Sequence, residues 1–277
     1  MWLPLLLVTL IIATSCSTTP GEKTKPDVIF VPTPHRVVRE MLKLADVKKD
    51  DVVYDLGSGD GRVVIAAARD FGARGVGIEL DERLVSASIE NAQHANVAER
   101  TRFYRQDVFK ADINEATVVT LFLLPEMNKM LTPKFLKELK PGTRIVSHLF
   151  EMGDWKPDMT LKAYHSTIHL WLVPADVNGD WDISVVNEEG TWQCAVTIQQ
   201  DYQKLHARKN SRKIRFREMK LYGKEISMLI EDDSSGRASF ITLEGLVRGD
   251  TMEGIAHMTG GSSTGKYSWM GVRISKK

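Results

Sequence analysis

The chain has 277 residues, with 37 Lys and Arg against 36 Asp and Glu, 43% hydrophobic and 26% charged residues. These are the proportions of a globular chain, long enough for two domains at roughly 150 residues each. A net charge of +1 supplies no global field for wrapping nucleic acid, two cysteines cannot staple a scaffold, and a single apolar stretch excludes a polytopic membrane protein.

That stretch is Met1 to Ala13, MWLPLLLVTLIIA, without a charged side chain. It falls short of the about 20 apolar residues that span a bilayer. Thr14-Ser15-Cys16 and the polar Ser17-Thr18-Thr19-Pro20-Gly21 follow. An apolar run closed by small residues and then Cys16 resembles a bacterial lipoprotein signal (residues 1–16), with Cys16 as the lipidated residue. A plain signal peptide, an uncleaved anchor and a mis-assigned start are the alternatives. Residues 17–27 then form a tether, and the expected location is a membrane-anchored or periplasmic one, or the cytoplasmic side of a membrane.

From residue 28 to 174 the chain alternates strand-like and helix-like segments. His35 to Ala45 carries apolar residues at helical spacing, and Val52 to Leu56 is a short apolar run closed by glycines. Arg62 to Phe71 reads as a helix stopped by Gly72, Val76 to Leu80 as a strand, and Asp81 as the cap of a helix to His94. Thr101–Gln106, Thr117–Leu123 and Arg144–Phe150 read as strands, with a helix over Glu126–Leu139. Alternation of this kind predicts an α/β fold with a largely parallel, doubly wound sheet. Beyond Pro174 helical periodicity stops. Seven short alternating runs (Trp181–Val186, Thr191–Gln199, Lys213–Tyr222, Glu225–Glu231, Ala238–Arg248, Thr251–Met258 and Tyr267–Ile274) predict a small antiparallel β-barrel over residues 178–277.

The strongest local signal is Val52-Val53-Tyr54-Asp55-Leu56-Gly57-Ser58-Gly59-Asp60-Gly61-Arg62. A buried strand ends in an acid, three alternate glycines make a turn, and a helix follows whose first amides are unpaired. The spacing is G-x-G-x-G, not the dinucleotide G-x-G-x-x-G. Glu79 ends the next strand, where a carboxylate would accept both hydroxyls of a ribose. Asp107 follows the strand after that, placed for the exocyclic amine of an adenine. Three acids at the ends of consecutive strands indicate a nucleoside-type ligand.

These residues resemble the class I S-adenosylmethionine-dependent methyltransferases, which have a seven-stranded Rossmann-like sheet. The resemblance implies S-adenosyl-L-methionine as cofactor, with Asp55, Gly57 and Gly59 around its methionine part, Glu79 on its ribose and Asp107 on its adenine, and with Thr33, Ser58 and Gly61 among the residues that bind it. Val31-Pro32-Thr33-Pro34, a helix, and then DLGSGDGR resemble more narrowly the ATP synthase c-subunit lysine methyltransferases and their bacterial relatives. That branch implies methyl transfer to a protein lysine. Thr33 and Pro34 either close over the cofactor or form a rigid turn before the helix at His35.

Methyl transfer from a sulfonium needs positioning and a neutral amine more than it needs a strong base. The reacting region is expected at Leu121-Phe122-Leu123-Leu124-Pro125-Glu126, with Leu124 and Pro125 as candidate catalytic positions. Pro125 and Glu126 equally suit the start of a helix. The Asp/Asn-Pro-Pro-aromatic motif of amino-adenine methyltransferases is missing there, so nucleic acid is not the expected partner and a protein is. A tethered, non-enzymatic binding protein that kept the fold is the alternative.

His165 and His169 fall on one strand face about 13 Å apart, too far to share a metal ion, and no metal is expected. The basic run Lys204–Lys220 invites nucleic acid or anionic headgroups, but reads as a solvated edge hairpin. Gly179-Asp180-Trp181 with Arg273 resembles the Trp-and-Arg packing of lipocalin-like barrels. Trp192 and Trp269 read as barrel core.

Overall fold

The computed structural model describes residues 31–208, 213–234, 236, 238–260 and 264–276. The signal or lipobox (1–16) and tether (17–27) readings lie outside the described residues. Among the described residues, no helix is long and apolar enough to cross a membrane.

A seven-stranded sheet comes first. Its strands are β1 (Val52–Leu56), β2 (Arg74–Glu79), β3 (Thr101–Arg105), β4 (Val118–Leu121), β5 (Arg144–His148), β6 (Met159–Ala163) and β7 (Ser166–Leu172). The order is β3-β2-β1-β4-β5-β7-β6, and every strand is parallel to β1 except β7, which runs against both β5 and β6. All five residues of β1 are buried, as a parallel strand between two covering layers requires. One layer is α1 (His35–Leu44) and α2 (Arg62–Phe71), packed through Val37, Val38, Met41, Val63 and Ala67 on Val53, Val118 and Val146. The other centres on α4 (Pro125–Glu138), whose Leu131 and Phe135 meet Leu56, Leu121 and Ile145. Between them in the chain, α3 (Glu82–His94) starts at Asp81, whose Oδ1 accepts the Arg83 amide at 2.9 Å.

The single strand expected through His165 and His169 is broken in the structure. Residues 161–171 do not form one strand: Tyr164 and His165 both take left-handed φ (52° and 63°) and turn the chain from β6 into β7, the twist a two-residue hairpin needs. His165 sits at that exposed tip, while His169 lies buried on β7 with its Nδ1 3.0 Å from Thr160 Oγ1, so the two are not on one strand face. Among the described residues, β5 and β6 are joined without a helix. Residues 149–158 run down that flank, pinned by a Met152–Trp155 bridge.

The second sheet has eight antiparallel strands: β8 (Gly179–Asn187), β9 (Gly190–Asp201), β10 (Lys204–Arg208), β11 (Ile214–Tyr222), β12 (Glu225–Asp232), β13 (Ser239–Arg248), β14 (Thr251–Thr259) and β15 (Gly265–Ser275). Their order, β10-β9-β8-β15-β14-β13-β12-β11, curls into a nearly closed barrel. Its interior is filled with Trp181, Ile183, Val196, Met228, Ile230, Leu243, Met252 and Trp269. Trp192 packs against that core and its Nε1 donates to Asp232. Arg273 lies over the Trp181 ring at 4.6 Å, its Nη2 donating to Gly249 O at 3.2 Å, the pairing expected from the sequence. The basic run is not one hairpin. It supplies β10 and β11, the two edge strands, with residues 209–212 outside the described set.

The barrel meets the sheet at the amino ends of its parallel strands. Gly223 of the β11–β12 turn abuts Gly142, just before β5, and its carbonyl accepts the Ala175 amide at 2.7 Å. The β9–β10 turn inserts Tyr202, which stacks on Trp155 at 5.6 Å and 5°. Gln203 beside it accepts from Trp155 Nε1 at 2.9 Å and donates to Asp158 at 2.8 Å.

Candidate active site

The glycine loop opens at the opposite end, where the parallel strands finish. Gly57, Gly59 and Gly61 all have left-handed φ (80°, 54° and 78°). A Cβ on Gly57 would come within 2.8 Å of Leu123, and one on Gly61 within 2.8 Å of Phe103. Both the conformation and the lack of space therefore select glycine. Gly57 and Ser58 amides donate to Ile78 O at 2.8 and 3.0 Å. From α3, Ser88 Oγ donates to Gly59 O at 2.9 Å and Asn91 Nδ2 to Asp60 O at 3.0 Å. The loop is thus fastened from below and from one side, with its concave edge left to a ligand.

The acids line that edge. Asp55 is 5% exposed and accepts from Thr120 Oγ1, its register partner on β4, at 2.7 Å. Burial pushes its carboxyl up to about 7, against the Thr120 bond and helped by Glu79 and Asp60. A buried carboxyl of this kind is stabilised as a carboxylate when a ligand cation arrives beside it. Glu79, half-buried at the end of β2, accepts the Gly59 amide on Oε2 at 3.0 Å and those of Leu80 and Asp81 on Oε1 at 2.7 and 2.9 Å. One further acceptor site on the carboxylate remains for hydroxyls. Asp107 follows β3 and holds the Phe109 amide at 2.9 Å, its other oxygen turned outward, 4.0 Å from Lys110 Nζ. The Ser58 hydroxyl is buried, has no partner among the described residues, and sits in the space that Gly77 leaves on β2. Its side chain therefore faces the sheet, and only its backbone borders the cradle.

Thr33 is buried between the loop and the end of β5. Its carbonyl accepts from Arg62 Nη1 at 2.9 Å, and Arg62 is held by both oxygens of Asp60 at 2.9 and 2.6 Å. Its hydroxyl lies 3.2 Å from His148 Nδ1. Leu124 and Pro125 are exposed at the end of β4, where Leu124 precedes α4 and Pro125 is its first residue. Leu124 caps the helix and Pro125 opens it, the helix-start role the sequence equally allowed. Beside them stand rings that sequence reasoning did not single out. Phe122 lies 4.3 Å from the His148 ring and 6.2 Å from Phe150, nearly parallel to the latter. The signal was available: His148 alternates with Val146 and Phe122 with Thr120, so all four side chains stand on the Asp55 face of the sheet.

An oxygen-rich cradle on three consecutive strand ends, beside an apolar wall, fits S-adenosylmethionine. Its ammonium and sulfonium match the acids, one ribose hydroxyl matches the acceptor site left on Glu79, and its methyl needs no polar partner. The comparisons agree. A profile of the ANTKMT methyltransferase domain matches residues 55–159. The chain is 46% identical over 153 residues to the protein-lysine N-methyltransferase of Saccharolobus islandicus, covering 53% of this chain and 95% of that one. It is 36% identical over 129 residues to the ATP synthase c-subunit lysine N-methyltransferase of Xenopus laevis, spanning 56% of that protein. The crystal structure of an RNA methyltransferase from Salinibacter ruber, in complex with S-adenosyl-L-homocysteine, superposes with a TM-score of 0.52 at 54% identity, covering 53% of this chain and 96% of that one.

Fold and cradle thus define an S-adenosylmethionine-dependent methyltransferase. Within that class, the chain belongs to the family of the Saccharolobus protein-lysine N-methyltransferase.

Proposed function

We propose that the acceptor is a lysine side chain of a protein. The observation that carries this reading is the apolar end of β4 and β5. Phe122, Leu123, Leu124 and Phe150 offer no side-chain donor or acceptor for the edge of a base, whereas they suit the alkyl stem of a lysine. S-adenosylmethionine supplies a methyl on a sulfonium. The chain's own residues do the rest: Asp55, the glycine loop, Glu79 and Asp107 hold the cofactor, and the aromatic wall orients the amine and keeps water away. Desolvation at that wall also lowers the amine's pKa, which favours the neutral nucleophile. Two relatives named for lysine methylation support this reading.

The name of the Salinibacter protein favours a second acceptor, RNA. Incubating the chain with methyl-labelled cofactor and separate protein and RNA fractions distinguishes them. Label in acid-hydrolysed methyl-lysine supports the first reading, and label only in nucleosides overturns it. We further propose that residues 1–16 act as a secretion or lipid-anchoring signal. Mass spectrometry of the chain recovered from whole cells tests this, and an unmodified Cys16 in an intact N-terminus overturns it.

A further inference from the structure

At the carboxyl end of β5 a buried polar chain stands outside the cofactor cradle. Thr33 Oγ1 is 3.2 Å from His148 Nδ1, and His148 Nε2 is 3.0 Å from Ser166 Oγ. Thr33 is 5% and His148 3% exposed, while Ser166, opening β7, is partly open to solvent. Hydroxyl, imidazole and hydroxyl each donate and accept, so a proton can enter at one end and leave at the other. The inner end is tied to the reaction: the Thr33 carbonyl accepts from Arg62, the first residue of α2 after the glycine loop, and the His148 ring packs on Phe122 of the proposed acceptor wall. The ring faces Thr33, Phe122 and Ser166, none of which titrates in the neutral range. Burial alone pushes the imidazole below its ordinary value, so it stands neutral at pH 7, ready to accept. The nearest cation along the chain is Arg62, beyond the Thr33 carbonyl.

We propose that Thr33, His148 and Ser166 form the route by which the acceptor amine loses its proton. This rests on the reading of the acceptor as an amine. A lysine arrives as an ammonium, whose lone pair is bound to its third proton. That proton passes to Thr33 Oγ1 as the hydroxyl gives its own to His148 Nδ1. The imidazolium releases a proton from Nε2 through Ser166 to water, and exchange with solvent restores the starting tautomer between turnovers. The freed lone pair forms the N–C bond while the C–S bond breaks, its electron pair staying on sulfur. The product is a methylammonium, with one proton delivered to water. Thr33 is the catalytic member here, and His148 and Ser166 act through it.

The test uses the full chain with Thr33→Val, Thr33→Ser and His148→Asn, with S-adenosylmethionine affinity measured by calorimetry. Methylation of poly-L-lysine is followed from pH 6 to 10, and ring ¹⁵N resonances of His148 are recorded. Thr33→Val and His148→Asn are expected to lower the rate at pH 7 by about 10²-fold, the usual yield of acid–base assistance. That deficit shrinks toward pH 10, where more of the amine arrives neutral. Thr33→Ser restores most of the rate, and Thr33→Val moves the Nδ1 resonance. Cofactor affinity stays within about twofold throughout. A deficit independent of pH, a serine variant no better than valine, or an Nδ1 resonance untouched by Thr33→Val overturns the route and leaves the methyltransferase reading standing. Failure of the unaltered chain to bind the cofactor would sink both.

Discussion

At the scale of single residues, Asp55 sets stability against function. Its folded pKa of about 7 lies above the ordinary 3.8. The folded state therefore holds a proton between those values that the unfolded chain has lost, and this group's contribution to stability falls as pH rises from about 4 to 7. The full difference is on the order of 4 kcal/mol. Asp55→Asn is expected to melt higher than the natural chain at pH 8, with the gap narrowing by pH 4.5, while cofactor affinity drops more than about tenfold, or roughly 1.4 kcal/mol. Thermal unfolding at the two pH values, with calorimetric titration at pH 8, checks both halves. The same carboxyl makes cofactor binding release a proton below pH 7, so affinity should tighten as pH rises from 6 to 8. Gly57→Ala pushes a methyl against Leu123 and holds alanine at φ 80°. It should cost about 1–3 kcal/mol of strain and flatten the cofactor titration, and an unaltered isotherm would show that the loop can give way.

Among the elements, the segment from β5 to β6 is the least ordinary. A helix would have covered this flank of the sheet; instead residues 149–158 do so, and Trp155 needs Tyr202 from the barrel to complete its burial. Tyr202→Ala is expected to lower stability by about 2 kcal/mol through lost aromatic packing, with cofactor affinity unchanged. Urea unfolding and calorimetry read the two effects, and a cofactor site weakened in proportion to stability would contradict the separation. The sequence shows plainly the elements whose signals are local: the strand-loop-helix at Val52–Phe71, the Asp81 cap, and the alternation of seven of the eight barrel strands. It hides those that depend on partners. The β6–β7 hairpin turns on Tyr164 and His165, residues with no turn signature, because its register is imposed by β5. Lys204–Arg208 is too short and too basic to read as a strand until β9 supplies a neighbour. The cradle's acids were legible because each lies at or just beyond the carboxyl end of its own strand. The ring cluster of Phe122, His148 and Phe150 was legible only in part: alternation along each strand puts the rings on one face, but their meeting depends on β4 lying beside β5.

For the whole molecule, the strands pair within two separate sheets, β1–β7 and β8–β15. About half of the chain covers 95% of the Saccharolobus relative, and the matched methyltransferase domain falls within the span of the seven-stranded sheet, at residues 55–159. Residues 31–174 expressed without the barrel are therefore expected to bind S-adenosylmethionine with near-natural affinity. They should melt roughly 4–8 °C lower, as about 2 kcal/mol of packing at Trp155 is lost. Calorimetry and a thermal scan of the two lengths decide it, and loss of cofactor binding in a folded fragment would give the barrel a direct part in the site.

The barrel rests against Gly142 and Trp155, at the amino ends of the strands, while the glycine loop and the ring wall open at the carboxyl ends. β5 alone separates the two by about 16 Å. Anything fastened to the barrel, whether a resin, a label or another protein, would leave the reacting face turned away from the point of attachment. A target of any bulk could then present its lysine head-on, and the handle could be exchanged without redesigning the cradle.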